Sequence, residues 1–214
     1  MSDKFVANNT VKLSGEIVSE CRFSHEILGE KFYILDVMSK RMSGNADVLP
    51  VMVSERLVDI EKLTVGAFIK IEGQFRSFNK HEESGNRLIL SVFAREITVL
   101  AEDPIFHENM IALTGYLCKE PVYRKTPLGR EIADLLIAVN RPYNKSDYIP
   151  SIAWGRNARF ASSFIIGESI NVRGRIQSRE YSKVLDNGTS ELRTCYEVSI
   201  SRINAGSEVA QYEE

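Results

Sequence analysis

The stretch SDYIPSIAWGRNARF at residues 146–160 decides how the rest of the chain is interpreted, and it contains the only tryptophan, Trp154. A strand-like alternation precedes Trp154, and a short helix-like segment follows it. Side chains two apart on a strand share a face. One side is therefore expected to hold Tyr148, Pro150, Ile152 and Trp154, and the other Ile149, Ser151 and Ala153. Aromatic residues on strands are usually half-buried packing, so this stretch alone predicts a strand and leaves its role open.

Basic and aromatic residues also alternate in the segments on either side. Upstream, IAVNRPY ends at Tyr143, and downstream, INVRGRIQSREY ends at Tyr181. A surface that stacks unpaired bases and holds their phosphates needs these two residue types close together. The downstream segment predicts a strand with an apolar inner face and a polar outer face, the latter formed by Arg173, Arg175, Gln177, Arg179 and Tyr181. The alternative is a solvated arginine face on an ordinary barrel.

The chain contains an internal repeat. NNTVKLSGEIV in the first half corresponds to ENMIALTGYLC in the second, which pairs Gly15 with Gly115. ILGEKFYILDVMSKR (27–41) and PLGREIADLLIAVNR (127–141) keep the same spacing. VGAFIKIEGQFRS (65–77) then corresponds to IGESINVRGRIQS (166–178), which pairs Gly73 with Gly174. Two glycines within one alternating apolar pattern, present in both halves, indicate a tandem duplication.

Each copy predicts three strands, a short helix and two further strands. In the first copy the strands are expected near 11–22, 31–41, 47–53, 67–78 and 87–99, with a helix near 55–63. In the second copy they are expected near 110–121, 130–141, 147–154, 168–181 and 192–203, with a helix near 157–165. Five antiparallel strands with one helix after the third is the order of the OB fold. Gly73 and Gly174 fall within strands, where a small residue allows the barrel to coil sharply.

Four segments of the second half resemble the bacterial single-stranded-DNA-binding protein family, in order and over roughly 95 residues. They are NMIALTGYLCKEPVYRKTPLG (109–129), IADLLIAVNRPY (132–143), DYIPSIAWGR (147–156) and IIGESINVRGRIQSREY (165–181). The resemblance implies an OB barrel that binds single-stranded DNA by aromatic stacking, with the family's stacking positions at Tyr143, Tyr148, Trp154 and Tyr181. Phosphate contacts are expected from Arg141, Lys145, Arg156, Arg173, Arg175 and Arg179.

The sequence therefore predicts an all-β protein of two tandem OB barrels. Residues 1–102 form a diverged N-terminal barrel, residues 103–204 form the DNA-binding barrel, and residues 205–214 form a short flexible tail. In the linker between the barrels, Ile105 and Phe106 are expected to pack between them. In the first barrel the stacking aromatics are lost, because the corresponding residues are Ser43, Val48, Ser54 and Lys80.

Charge is distributed unevenly between the two copies. The whole chain of 214 residues has a net charge of −2, which argues against indiscriminate binding of nucleic acid. Residues 109–204 hold 14 Lys and Arg against 9 Asp and Glu, a net charge of +5. Residues 9–100 hold 12 against 13, a net charge of −1. The basic face therefore belongs to the second copy.

Other classes of function find little support in the sequence. Three cysteines and three histidines are scattered along the chain, so they predict no metal site, no nucleophile–base pair, no cofactor and no enzyme. Widely spaced single cysteines favour a reducing cytoplasm, and no apolar run is long enough to span a membrane. We therefore expect a cytoplasmic binding protein.

Partners follow from the resemblance. Members of the family are commonly tetramers of one-barrel chains, so a homodimer of this chain would supply the same four OB folds. Members also end in an acidic tip with Pro-Phe that recruits repair enzymes, whereas this chain ends in QYEE, so recruitment is not expected by that route. The sequence leaves open a role in replication, recombination or repair, an accessory variant, an RNA-binding variant, and a primosome-like interaction module whose nucleic-acid contact is incidental.

Overall fold

A computed structural model describes residues 8–82, 85–184 and 188–206, and it consists mainly of β-strands. The strands of the first half are β1 (Asn9–Ile17), β2 (Arg22–Ile27), β3 (Glu30–Lys40), β4 (Ala46–Ser54), β5 (Phe68–Glu82) and β6 (Gly85–Leu100). The elements of the second half are β7 (Asn109–Leu117), β8 (Val122–Lys125), β9 (Glu131–Arg141), β10 (Lys145–Trp154), α1 (Arg156–Ala161), β11 (Ser169–Val184) and β12 (Ser190–Ala205).

Each half closes into a five-stranded barrel. In the first half β1 pairs with both β3 and β5, β3 pairs with β4, and β4 runs parallel to β6, which returns to β5. In the second half β7, β9, β10, β12 and β11 repeat this circuit. This is the strand order of the OB fold, so the prediction of two tandem OB barrels is confirmed. β2 and β8 add a short edge strand to β3 and β9.

Apolar side chains, most of them aliphatic, fill the interior of both barrels. The largest fully buried ones include Leu13, Ile69, Ile71 and Phe75 in the first barrel and Ile137, Ile149, Ile170 and Ile176 in the second. Register shifts occur in β5 just before Gly73 and in β11 just before Gly174. A Cβ added to Gly174 would collide with the carbonyl oxygen of Ser199 on β12. These glycines therefore permit the close strand approach that the bulge requires.

One continuous sheet joins the two barrels, because β1 pairs antiparallel with β7, with Val11 opposite Ile111. A second connection comes from the β9–β10 hairpin. Asp147 is buried, and its Oδ1 accepts a hydrogen bond from Arg141 (3.0 Å) and another from the backbone N–H of Ser77 on β5 (2.8 Å). The hydroxyl oxygen of Ser77 in turn accepts from the backbone N–H of Tyr148 (2.8 Å).

A matching connection runs in the opposite direction, from Asp47 of the first barrel to β11 of the second. Asp47 is bound by Arg41 of its own barrel and accepts from the backbone N–H of Ser178 on β11 (3.1 Å). Ser178 Oγ accepts from the backbone N–H of Val48 (3.2 Å). Each barrel therefore presents a buried carboxylate to a strand of the other. This arrangement fixes the two outer faces relative to each other.

Three expectations about local structure are wrong. The helix expected near 55–63 is only a three-residue 3₁₀ helix, Ile60–Lys62, with Asp59 as its N-cap. A segment this short has too few internal hydrogen bonds to offset helix nucleation, and its apolar residues pack individually on the barrel. The strands expected at 11–22 and 110–121 end at Ile17 and Leu117 instead, because the chain turns there before forming β2 and β8.

The third concerns the linker: Ile105 and Phe106 are exposed rather than packed between the barrels. His107 holds this segment, since its Nδ1 accepts a hydrogen bond from the backbone N–H of Lys40 (2.9 Å). Strand β12 ends at Ala205, and most of the expected tail, residues 207–214, lies outside the described residues. In the described part of the chain, no helix is long and apolar enough to cross a membrane.

Candidate nucleic-acid interface

Strand β10 alternates between the barrel interior and its outer face, as the sequence predicts. Ile149 and Ala153 are fully buried in the core. Tyr148 and Trp154 point to the outer face and are 42% and 38% exposed. Neighbouring strands extend this face, because Trp154 is paired with Ile132 of β9, and β12 and β11 follow on the other side.

The other two predicted stacking residues lie at the ends of this face. Tyr143 is 94% exposed at the tip of the β9–β10 hairpin, where it and Asn144 adopt left-handed backbone conformations with φ of 63° and 53°. Such a conformation is uncommon for an aromatic residue, and the tight turn enforces it. Tyr181 is 39% exposed on the part of β11 that extends toward its hairpin loop. From Tyr148 to Trp154 the face spans about 20 Å along β10.

A shallow pocket of about 170 Å³ adjoins Trp154. Two ion pairs line it. Arg124 of β8 pairs with Asp134 (2.8 Å), and Arg179 lies 3.9 Å from Glu197 in a loose pair. The remaining lining residues are Ile132, Ile152 and Gln177. The pocket beside Trp154 thus contains two guanidinium groups, and that of Arg124 was not predicted from the sequence. Arg124 was missed because β8 was not expected as a separate strand. In the structure Arg124 lies opposite Ile132 of β9, which places it at this pocket.

The predicted phosphate-binding residues fall into two groups. Four are exposed and can reach solvent: Lys145, Arg156, Arg173 and Arg179. Arg141 is mostly buried against Asp147, so its main contact is within the protein. Arg175 is half-buried as well, and its Nε is buried without a hydrogen-bond partner. Burial lowers the pKa of Arg175, and Arg41 of the other barrel lowers it further.

Gln177 differs from its expected exposure. It lies on the outer face as predicted but is buried, because its Nε2 donates to Glu197 (2.7 Å) at the base of the pocket. The strand pattern could not reveal this burial, because the residues that line the pocket with Gln177 come from β8, β9, β10 and β12 as well as β11.

The corresponding positions of the first barrel carry the residues that the repeat predicts. Val48 and Ser54 occupy the places of Tyr148 and Trp154 on β4, where Ser54 pairs with Phe32 as Trp154 pairs with Ile132. The outer face of this barrel nevertheless contains aromatic residues, which come from the neighbouring strands β2, β3, β5 and β6. They are His25, Phe78 and Phe93, together with Phe32, which is only 9% exposed.

The fold and this face define a tandem OB-fold protein whose second barrel has an aromatic and basic outer surface. Residues 108–205 match the Single-strand binding protein family. The resemblance seen in the second half of the sequence is therefore confirmed. Single-stranded DNA-binding protein 3 of Listeria innocua is 35% identical over 80 residues, which are 34% of this chain and 50% of that protein. Single-stranded DNA-binding protein A of Bacillus subtilis is 35% identical over 80 residues, which are 34% of this chain and 46% of that protein. The chain spans about half the length of the curated relatives it matches.

Solved structures match the chain over both barrels. Wild-type single-stranded DNA binding protein from Thermus aquaticus superimposes with a TM-score of 0.75 at 20% identity, covering 96% of both chains. A deletion mutant of that protein gives a TM-score of 0.71 at 23% identity, covering 96% of this chain and 98% of the other. At this level of identity the likeness shows the fold alone, with two OB barrels in one chain.

Proposed function

We propose that the protein binds single-stranded DNA without strong sequence preference, through the outer face of its second barrel. The observation that carries the proposal is the exposure of all four aromatic side chains on this face, while aliphatic residues fill the interior. Bases would stack on Tyr143, Tyr148, Trp154 and Tyr181. Stacking accepts any base, because every base has a flat π-face, so the binding is sequence-tolerant.

Exposed cations would bind the phosphates between the stacked bases. Lys145 lies near Tyr143 at the hairpin, and Arg156 follows Trp154 in the chain. Arg173 and Arg179 lie on β11. Arg175 and Arg141 are less accessible. They can therefore contact phosphates only where the DNA backbone approaches the junction between the barrels. The net charge of +5 over residues 109–204 favours this half as the site of attraction. The relatives from Listeria innocua and Bacillus subtilis are named as single-stranded DNA-binding proteins, which agrees with this chemistry.

The biological role that fits this activity is protection of single-stranded DNA during replication, recombination or repair. We also propose that two chains associate and so bring four barrels together. A mass near twice the 24.2 kDa of one chain in light scattering would support the homodimer, and a mass of one chain would refute it.

The function is tested by comparing single-stranded and duplex DNA on the full chain. Oligo-dT should quench the fluorescence of Trp154 strongly, whereas a duplex of equal length at the same salt concentration should have little effect. Oligo-rU in a third arm would measure any preference for DNA over RNA. If neither oligo-dT nor oligo-rU binds, the interaction-module alternative is favoured and the proposal fails.

A further inference from the structure

The outer face of the first barrel carries an aromatic and cationic cluster, which we call the Phe93 cluster: His25, Phe32, Arg76 and Phe93. The Cζ of Arg76 lies 4.1 Å from the centre of the Phe93 ring. Phe32 contacts Phe93 with 6.0 Å between ring centres, and His25 stacks on Phe32 at 4.9 Å and 10°. His25, Phe32 and Phe93 lie on β2, β3 and β6, whose equivalents in the second barrel carry none of the four stacking aromatics. Arg76 lies on β5, and its counterpart on β11 is Gln177.

Phe78 extends this cluster along β5. It lies two residues beyond Arg76 on the same face of the strand and is 66% exposed. Phe78 therefore offers an exposed ring on the same strand face as Arg76, and a ring and a guanidinium group are the two groups that stack a base and hold its phosphate.

The charge around Arg76 favours an anion. Its Nε and Nη2 both donate to the neutral Oε1 of Gln74 (3.3 and 2.8 Å), and Arg95 donates to the same oxygen (3.3 Å). Within the described residues Arg76 forms no ion pair with a carboxylate. Burial lowers the pKa of Arg76 to about 10. Arg141 and Arg95 contribute in the same direction, and the carboxylate of Asp147 opposes them. A phosphate placed here would offset both the lost hydration and the repulsion between the guanidinium groups.

This surface adjoins the aromatic face of the second barrel. The backbone N–H of Tyr148 donates to the hydroxyl oxygen of Ser77, which lies between Arg76 and Phe78 on β5. The buried Asp147 holds both sides of this contact through Arg141 and the N–H of Ser77. The two faces are therefore held together at the junction of the barrels.

We propose that single-stranded DNA leaving the Tyr148 end of the second barrel continues across this junction onto the first barrel. A phosphate binds Arg76 at the crossing, one base stacks on Phe78, and the strand then follows the Phe93 cluster. The first barrel thus has a binding face of its own, built from residues that do not correspond to the family's stacking positions. This inference rests on the function proposed above and extends it to a second surface.

The test compares short and long oligonucleotides on the full chain. An oligo-dT of about 10 nucleotides is expected to occupy one barrel, whereas one of about 30 reaches both. Phe78→Ala should weaken binding of the long oligonucleotide by about 5-fold or more and leave the short one unchanged, because one stacked base is lost. Arg76→Gln should make the salt slope for the long oligonucleotide shallower by about 0.7, the value for one phosphate contact.

Two matched variants control for the loss of an exposed aromatic ring and for the loss of a positive charge. Phe23→Ala removes another exposed aromatic of the first barrel, one that packs on Tyr33 instead. Arg22→Gln removes the same charge as Arg76→Gln from a surface pair with Asp36. Neither control should alter the difference between the two lengths. Thermal unfolding checks that each variant is folded, and Phe78→Ala decides the question if Arg76→Gln is unstable.

Failure of this inference and failure of the proposed function give different results. If the folded Phe78→Ala and Arg76→Gln proteins bind the long oligonucleotide with wild-type affinity and salt slope, the first barrel is not part of the DNA path. Its face would then suit a protein partner instead. If the wild-type chain fails to bind even the short oligonucleotide, the proposed function itself is wrong.

Discussion

Replacement of Trp154 by alanine separates binding from folding. The side chain is 38% exposed, so folding hides roughly 130 Å² of the 150–250 Å² that a large aromatic can bury. At about 25 cal/mol per Å² this sets an upper estimate of ~3 kcal/mol, and about 2 kcal/mol is expected because alanine keeps part of that contact. The loss of one stacked base should reduce affinity for oligo-dT by about 1–3 kcal/mol, roughly 5- to 150-fold.

The assay uses labelled oligo-dT and fluorescence anisotropy, because the variant lacks the intrinsic reporter. Urea unfolding gives the change in stability. Phe75→Leu is the matched control: Phe75 is buried in the first barrel, so this variant should lose stability and bind oligo-dT normally when folded. The stacking assignment would be refuted by a Trp154→Ala protein that binds oligo-dT with wild-type affinity.

Three further expectations can be checked directly. Log affinity should fall with log salt at roughly −0.7 per phosphate, so about four to six contacts give a slope near −3 to −4, and Arg173→Glu should make it shallower. An unchanged slope in that variant would remove Arg173 from the binding face. Asp147→Ala should lower the free energy of unfolding by about 3–5 kcal/mol, because Arg141 is left partly buried without its partner. Asp36→Ala, at a surface pair, should cost less than about 1 kcal/mol, and equal losses in urea unfolding would contradict the role of Asp147. Gly174→Ala should destabilise the protein by about 1–3 kcal/mol through collision with the backbone of Ser199, which thermal unfolding measures; wild-type stability would show that the bulge can relax.

Much of the fold could be predicted because its determinants are local. Apolar alternation placed β10 correctly. Gly73 and Gly174 were expected where the strands coil sharply, and register shifts occur beside both. The helix at 55–63 was wrong because a periodic pattern does not show whether the segment can form enough internal hydrogen bonds. The strand β8, and with it Arg124, was missed because a four-residue strand has too short a pattern to be recognised.

The candidate site was only partly predictable. Tyr143, Tyr148 and Trp154 were assigned by the resemblance to the family, and all three are exposed. The burial of Gln177 and Arg175 could not be foreseen, because it depends on neighbours distant in the sequence.

The sequence by itself determined the two barrels and the aromatic residues of the second, because side-chain alternation and glycine spacing act within single strands. Only the tertiary structure decided how the barrels meet. Asp47 and Asp147 each bind a backbone N–H of the other barrel, more than 60 residues away in the chain. The aromatic cluster around Phe93 likewise assembles from four separate strands. No single segment contains such a contact, because it exists only once the barrel has closed and the two barrels have docked.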